Sequence, residues 1–305
     1  METAAKGKIL RVRKSGVNGE NKPFHTSLKV LRIGLKAMAY KKKTWKFRRA
    51  IEVMEYHTAR YGAPGQKREK KRKPTKEDME KVNQYTKERK ARHKLRTYFY
   101  KNDYFSCLTY AKDARPPDMQ AAKKDWSDAL KVIRREYRKR GVDVIYWMRN
   151  IEVGTKGAWH IHLVINRIPD TDIILKKAWT KGKVMNQLLY ERGEFRELAA
   201  YITKTPRTDS RLRESDFNSS RNMPLPEPVE KTYFHWKTWN KIKIPEGYYL
   251  EKETIHEGKN PITGHSYRTY TLIKLGEDDI GREDWIPPGK KKKRKKRKKV
   301  KKCRE

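Results

Sequence analysis

Cysteine is nearly missing from this chain: Cys107 and Cys303 are the only two among 305 residues. That excludes a disulfide framework and a zinc site built on thiolates, both of which need more sulfur than this. Long apolar runs are missing as well. No stretch reads as a signal peptide or a membrane-spanning helix, so no membrane partner is expected and a reducing cytoplasm is the expected compartment. Negative charge is scarce: 37 acidic residues face 77 lysines and arginines, for a formal net charge of +40 and a pI near 10.1. Thirteen of the basic residues lie in the run from Lys290 to Arg304, yet without that run and Glu305 the chain would still carry +28. The basicity therefore belongs to the body too, and a field of this sign gathers polyanions. With no basic amphipathic segment to favour a lipid surface, nucleic acid is the partner this charge predicts.

What is present sorts along the chain. Residues 1–98 read as a basic, mostly helical region. Two helices are expected between Ser27 and Tyr61, the second from the spacing of Ala50, Ile51, Met54 and His57, with Arg48 and Arg49 beside it as candidate DNA contacts. His57 reads as structural rather than as a ligand. Gly62-Ala63-Pro64-Gly65 and the basic segment after it read as a linker. Thr75 and Asp78 make a capping box opening a highly charged helix to about Arg96. That helix reads equally well as a solvated face or as one laid on phosphates. From Tyr104 the composition turns apolar: a strand at 104–110, a helix with Trp126, Ala129, Leu130, Ile133 and Tyr137 on one stripe closed by Gly141, a strand at 143–152, and another from Trp159. Helical patterning is expected again between Asp172 and Lys204. Strand, helix, strand, strand, helix predicts an α+β layer around an antiparallel hairpin.

The chemistry concentrates in Trp159-His160-Ile161-His162-Leu163-Val164-Ile165. In a strand, His160, His162 and Val164 share one face, while Ile161, Leu163 and Ile165 share the other and read as core. Upstream lies Glu152, before a turn with two glycines, and a hairpin there would set its carboxylate beside the imidazoles. Two histidines and a carboxylate suffice for a three-ligand metal site with open positions, although partly exposed strand histidines near a surface Glu have the same pattern. Further on, Phe195, Leu198, Ala199 and Ile202 form the buried stripe of a helix, and Tyr201 and Lys204 fall together on another face. A cation beside a phenol favours the phenolate, the nucleophilic form.

Phe105-Ser106-Cys107-Leu108-Thr109-Tyr110, then Glu152 with His160-Ile161-His162, then Tyr201-x-x-Lys204 resembles, in order and spacing, the three motifs of HUH endonucleases. These initiate rolling-circle replication of bacterial plasmids, integrative elements and single-stranded DNA phages. Ser220-Arg221-Asn222-Met223-Pro224-Leu225-Pro226-Glu227-Pro228, Glu257-Gly258-Lys259-Asn260-Pro261-Ile262-Thr263-Gly264 and Glu55-Tyr56-His57-Thr58-Ala59-Arg60-Tyr61-Gly62 are similar to segments of Rep proteins from Gram-positive mobile elements. The first motif departs from the family in carrying Ser106-Cys107. The resemblance implies an RRM-like HUH domain over 99–208, a C-terminal extension over 209–286 and a disordered polybasic tail over 287–305. It implies that Glu152, His160 and His162 hold Mn2+ or Mg2+, and that Tyr201, assisted by Lys204, attacks a phosphate of single-stranded DNA or an origin hairpin. A 5′-phosphotyrosine and a free 3′-OH would result, the latter a primer for the host polymerase.

No second tyrosine lies three or four residues from Tyr201, which implies a single-tyrosine enzyme, and Tyr190 reads as packing. The chain has no Gly-x-x-x-x-Gly-Lys-Ser/Thr loop, so a helicase is expected from the host. Trp236 and Trp239 interleave with lysines and could stack bases or anchor the extension on the core. Lys290, Lys291, Lys292, Lys293 and Arg294 open the tail, which should add salt-sensitive affinity. Three alternatives stay open: a nucleic-acid-binding protein without catalysis, a hydrolase using metal-activated water, and a conjugative relaxase. The position of Tyr201 after the histidines favours an initiator over the last.

Overall fold

The computed structural model describes residues 39–58, 73–189, 195–233, 241–260 and 265–276. Its first sheet contains β3 (Tyr104–Thr109), β4 (Trp147–Gly154), β5 (Trp159–Ile165), β6 (Val184–Leu188) and β7 (Leu212–Ser219). Their order is β6-β3-β5-β4-β7, with every neighbouring pair antiparallel. The strand carrying both histidines is thus central.

Strand alternation divides what covers the two faces. Trp147, Ile151 and Val153 of β4 and Ile161, Leu163 and Ile165 of β5 pack under α2 (Met119–Lys139) and α3 (Thr171–Ala178). The stripe read from the sequence, Trp126 to Tyr137, is the buried side of α2, and Asp118 caps its start by accepting from Ala121 N at 2.7 Å. Each large apolar side chain so buried contributes about 1.5–3 kcal/mol. On the other face Met148 and Val164 meet α1 (Lys76–Tyr98) and α4 (Arg196–Thr203), through Ala91, Leu95, Ala199 and Ile202. The Thr75–Asp78 capping box is formed, with bonds of 3.0 and 3.1 Å. The C-terminal half of α1 is buried at Leu95, Arg96 and Tyr98, so this charged helix is neither wholly solvated nor wholly free to lie on phosphates.

Residues 39–58, expected as helix, are instead a β-hairpin: β1 (Ala39–Lys46) pairs with β2 (Ala50–Thr58). The apolar spacing at 50–57 mimicked a helix because the inward positions of β2 include polar Glu52, Glu55 and His57. Their partners come from distant segments, which overrides local propensity. The first of the two expected helices begins in residues outside those described. With β8 (Val229–Tyr233), β9 (Tyr248–Lys259) and β10 (Ser266–Lys274) the hairpin completes a second antiparallel sheet, β8-β1-β2-β10-β9. Residues from the two ends of the chain therefore share one sheet. The helical pattern expected over 172–204 is likewise interrupted by β6, which alternates half-buried and exposed residues and, among the described residues, pairs only with β3. β7, beyond residue 208, completes the first sheet.

The turn before β6 is held against β3 by Thr109 N→Lys183 O and Ala111 N→Lys181 O, both 2.9 Å. A methyl group on Gly182 would fall 2.1 Å from the Thr109 carbonyl oxygen and 2.9 Å from Ala111 N, both immovable backbone atoms. Gly182→Ala should therefore lower stability by about 1–3 kcal/mol, the usual cost of overpacking, measured as a drop in the urea midpoint with unchanged slope.

Candidate active site

The β4–β5 hairpin turns through Gly157, whose φ of +69° is open to glycine and strained for other residues. Gly157 N→Gly154 O at 2.8 Å and Gly154 N→Ala158 O at 2.9 Å close it. The register that results sets Glu152 opposite His160 and Asn150 opposite His162, and on the other side of β5 sets Cys107 opposite His162. Period 2 puts Asn150, Glu152, His160 and His162 on the face covered by α1 and α4. On α4, Tyr201 points from the buried stripe towards this row.

The contacts are short and continuous. Tyr201 Oη lies 3.3 Å from His162 Nε2, and the same nitrogen lies 3.3 Å from Glu152 Oε2. Lys204 Nζ sits 3.0 Å from Glu152 Oε2 and 4.3 Å from the centre of the Tyr201 ring. Asn150 donates to Glu152 Oε1 at 2.9 Å and to the Lys204 carbonyl at 3.4 Å. The Lys204 carbonyl also accepts from Ser215 Oγ of β7 at 3.2 Å, so β7 helps hold the end of α4 over the site. Phe105 stacks parallel to His162 at 5.8 Å and meets Tyr201 edge-on at 5.9 Å. His160 and His162 are near-parallel with centroids 6.3 Å apart.

Burial sorts these groups. Glu152 is 3% exposed and His162 8%, whereas Tyr201 is 40% exposed. The nucleophile candidate faces solvent, and the groups behind it do not. Burial works against an ionised Glu152, but His162 and Lys204 outweigh it and hold its carboxyl below the usual range. Burial also opposes a charged His162, yet the adjoining Cys107 and Glu152 side chains push it up to about 9. Desolvation, then the charge of His162, lowers His160. Tyr201 is raised: burial and Glu152 outweigh the pull of Lys204 towards phenolate. At rest the phenol keeps its proton.

A divalent ion at this site would draw on Glu152, His160 and His162. The donor set suits one in kind: two imidazoles and a carboxylate on one face, where Glu152 already has a cation, Lys204, beside it. Among the described residues no three His, Cys, Asp or Glu groups converge closely enough, as they stand, to grip an ion. Binding would have to draw His160 towards the other two.

The segment from β3 to the end of α4 has a counterpart. Residues 103–206 match the family model of replication-associated proteins of the ORF2 type. The match covers about a third of the chain and contains Glu152, His160, His162, Tyr201 and Lys204. No curated protein and no solved structure matches the chain.

Other residues singled out from the sequence are placed elsewhere. Arg48 and Arg49 occupy the β1–β2 turn, where Arg48 lies 3.7 Å over the Tyr100 ring and Arg49 donates to the Gly276 carbonyl. Trp236, Trp239, Tyr190 and Lys290 to Arg294 lie outside the described residues. Two contributors escaped the sequence reading. Asn150, fully buried, orients Glu152, and Phe105 braces both His162 and Tyr201. Asn150 had a signal: it lies two residues before Glu152, hence on the same strand face.

Among the described residues no helix is long and apolar enough to cross a membrane.

Proposed function

We propose that the chain is a replication initiator that nicks single-stranded DNA through Tyr201. The observation that carries this reading is a solvent-facing tyrosine hydroxyl 3.3 Å from a buried histidine, which is itself coupled to Glu152 and Lys204. All of these lie within the residues that match a replication-associated family. In the reaction Tyr201 Oη bonds to the scissile phosphorus and the bond from phosphorus to the 3′-oxygen breaks. The proton lost by the phenol is balanced by the one gained at the departing 3′-OH, and the 5′-phosphate stays on the tyrosine. Lys204, beside the ring, offsets the negative charge that develops on the phenolate and phosphate. Phe105 keeps the ring at its angle to His162, and Asn150 keeps Glu152 turned inward. Bound at Glu152, His160 and His162, Mn2+ or Mg2+ would polarise the phosphate and neutralise charge on its oxygens. The 3′-OH would prime a host polymerase, with unwinding left to a host helicase and the work done in the cytoplasm of a bacterial host.

Incubating the full chain with a labelled single-stranded oligonucleotide pool, or an origin hairpin, and Mn2+ tests the reading. A covalent protein–DNA species on a denaturing gel is expected, its adduct mapping by mass spectrometry to the peptide holding Tyr201, and chelator should abolish it. Tight salt-sensitive binding with no adduct on any origin substrate would instead identify a binding module.

A further inference from the structure

On the opposite side of the first sheet from Tyr201, a cleft of about 480 Å³ opens where the C-terminal half of α2 meets the start of β4 and the end of β7. Trp147 and Ile145 form part of its wall, and Trp147 lies five residues from Glu152 on the same strand. That spacing puts the two about 17 Å apart along the strand, with side chains on opposite faces. The cleft is thus separate from the catalytic row.

Its polar lining has one dominant sign. Arg134, Arg138 and Arg221 are exposed around it, and Asp143 is the one carboxylate among the described residues that line it. The three guanidinium groups have no ion pair or hydrogen bond with any described residue. This contrasts with the neighbouring Arg149, which is bound to Asp216, and Arg140, which is bound to Glu136 and Asp170. Unpaired arginines converging on one concavity make a ready receptor for phosphate oxygens, because the planar fork donates twice to each.

Hydrogen-bonding groups for the rest of a nucleotide stand alongside. Asn218 and Asn222 line the cleft, and Asn222 is anchored by donating to the Ile145 carbonyl at 3.1 Å. Ser220, Arg221 and Asn222 begin the Ser-Arg-Asn-Met-Pro segment marked in the sequence, for which the catalytic row has no use. The positive surface also continues over the β7 edge: Lys94 of α1 donates to Ser219 Oγ at 2.6 Å, and Lys87 lies 5.4 Å over the Phe217 ring. β7 is the edge strand on this side of the sheet, so a strand of DNA can cross it without displacing protein.

We propose that this cleft is a second DNA-binding site, in which Arg134, Arg138 and Arg221 hold phosphodiester groups of the strand whose scissile phosphate lies at Tyr201. The polymer's identity rests on the nickase reading; the anion receptor itself does not. Long oligonucleotides reach both sites, and ones confined to the cleavage sequence reach only the catalytic row.

The test uses the full chain and fluorescence anisotropy across a salt series, with long and short single strands and a duplex of equal length. Arg134→Ala/Arg138→Ala/Arg221→Ala should weaken binding of the long strand at least about tenfold. It should also flatten the plot of log K against log salt by about 2, at about 0.7 per lost phosphate contact. Asp143→Asn should tighten the same binding. Short-strand binding and the covalent adduct should be unchanged. Lys124→Ala/Lys131→Ala/Lys176→Ala removes equal charge from exposed positions elsewhere and should cost less than twofold. An unchanged salt slope in the arginine variant, or an equal loss in the lysine variant, would overturn the site. A larger loss on duplex than on single strand would overturn the assignment to the cleaved strand. If no variant forms an adduct but the arginine effect persists, the nickase reading fails and the second site stands.

Discussion

Replacing Tyr201 by phenylalanine is expected to abolish the covalent protein–DNA species and to cut nicking by about 10⁴-fold or more, the scale on which deletion of a nucleophile acts in other enzymes. The fold should survive. The ring keeps its edge contact with Phe105 at 5.9 Å and with His162 at 5.1 Å, and only the 3.3 Å contact of the hydroxyl with His162 is lost. For a side chain 40% exposed, that loss costs about 1 kcal/mol of stability at most. A drop in activity with an unchanged melting temperature thus separates chemistry from folding. DNA affinity should also hold, because the hydroxyl is a small part of a strongly cationic surface. Cleavage that survives in Tyr201→Phe would establish the rival hydrolase, in which water attacks phosphorus and no tyrosine adduct forms. Gels resolve the two outcomes directly, since one species migrates with the protein and the other does not.

The catalytic row was legible because its information is local. Period 2 in β5 assigns His160 and His162 to one face, the Gly154–Gly157 turn folds Glu152 back beside them, and the i, i+3 spacing brings Tyr201 and Lys204 together. The apolar stripe of α2 and the Thr75 cap were equally local. What failed was non-local. β2 carries Glu52, Glu55 and His57 inward, a pattern that makes sense only once Arg92, Arg96 and Arg268 arrive from other elements. Propensity arguments have no access to such partners. The segments beginning at Glu55 and at Glu257 were marked by resemblance, but nothing in the sequence showed that they meet. In the second sheet both carboxylates approach Arg268, at 2.5 and 3.7 Å. The same limit hid β6, a short edge strand that pairs with β3 from far along the chain, and hid the contribution of β7 to the catalytic sheet.

That non-local cluster carries the second large effect. Glu52 is 5% exposed and receives Arg92 through two bonds of 3.0 and 2.9 Å and Arg96 through one of 2.6 Å, with His93 Nε2 at 3.2 Å. It ties β2 to α1, and α1 in turn packs on α4, which bears Tyr201. Burial opposes the charged carboxyl, but Arg92, His93 and Arg96 outweigh it and hold Glu52 well below the usual carboxylate range. Glu52→Gln keeps the volume and removes the charge, leaving Arg92 and Arg96 facing each other without the anion between them. The expected loss is about 3–5 kcal/mol, as for other broken buried ion pairs. For a protein of this size that is a fall in melting temperature of roughly 6–20 °C. The sign with pH follows from the depressed carboxyl. Its contribution is fully present above the unfolded-state value near 4.3 and is lost as pH falls through the lower folded-state value. The wild-type protein should therefore lose stability steeply on acidification below about pH 4.5, and Glu52→Gln, already without that contribution, should lose less over the same range. Melting curves at pH 7 and pH 4 for both proteins decide it: parallel losses on acidification would mean that Glu52 is not the group that couples the second sheet to α1.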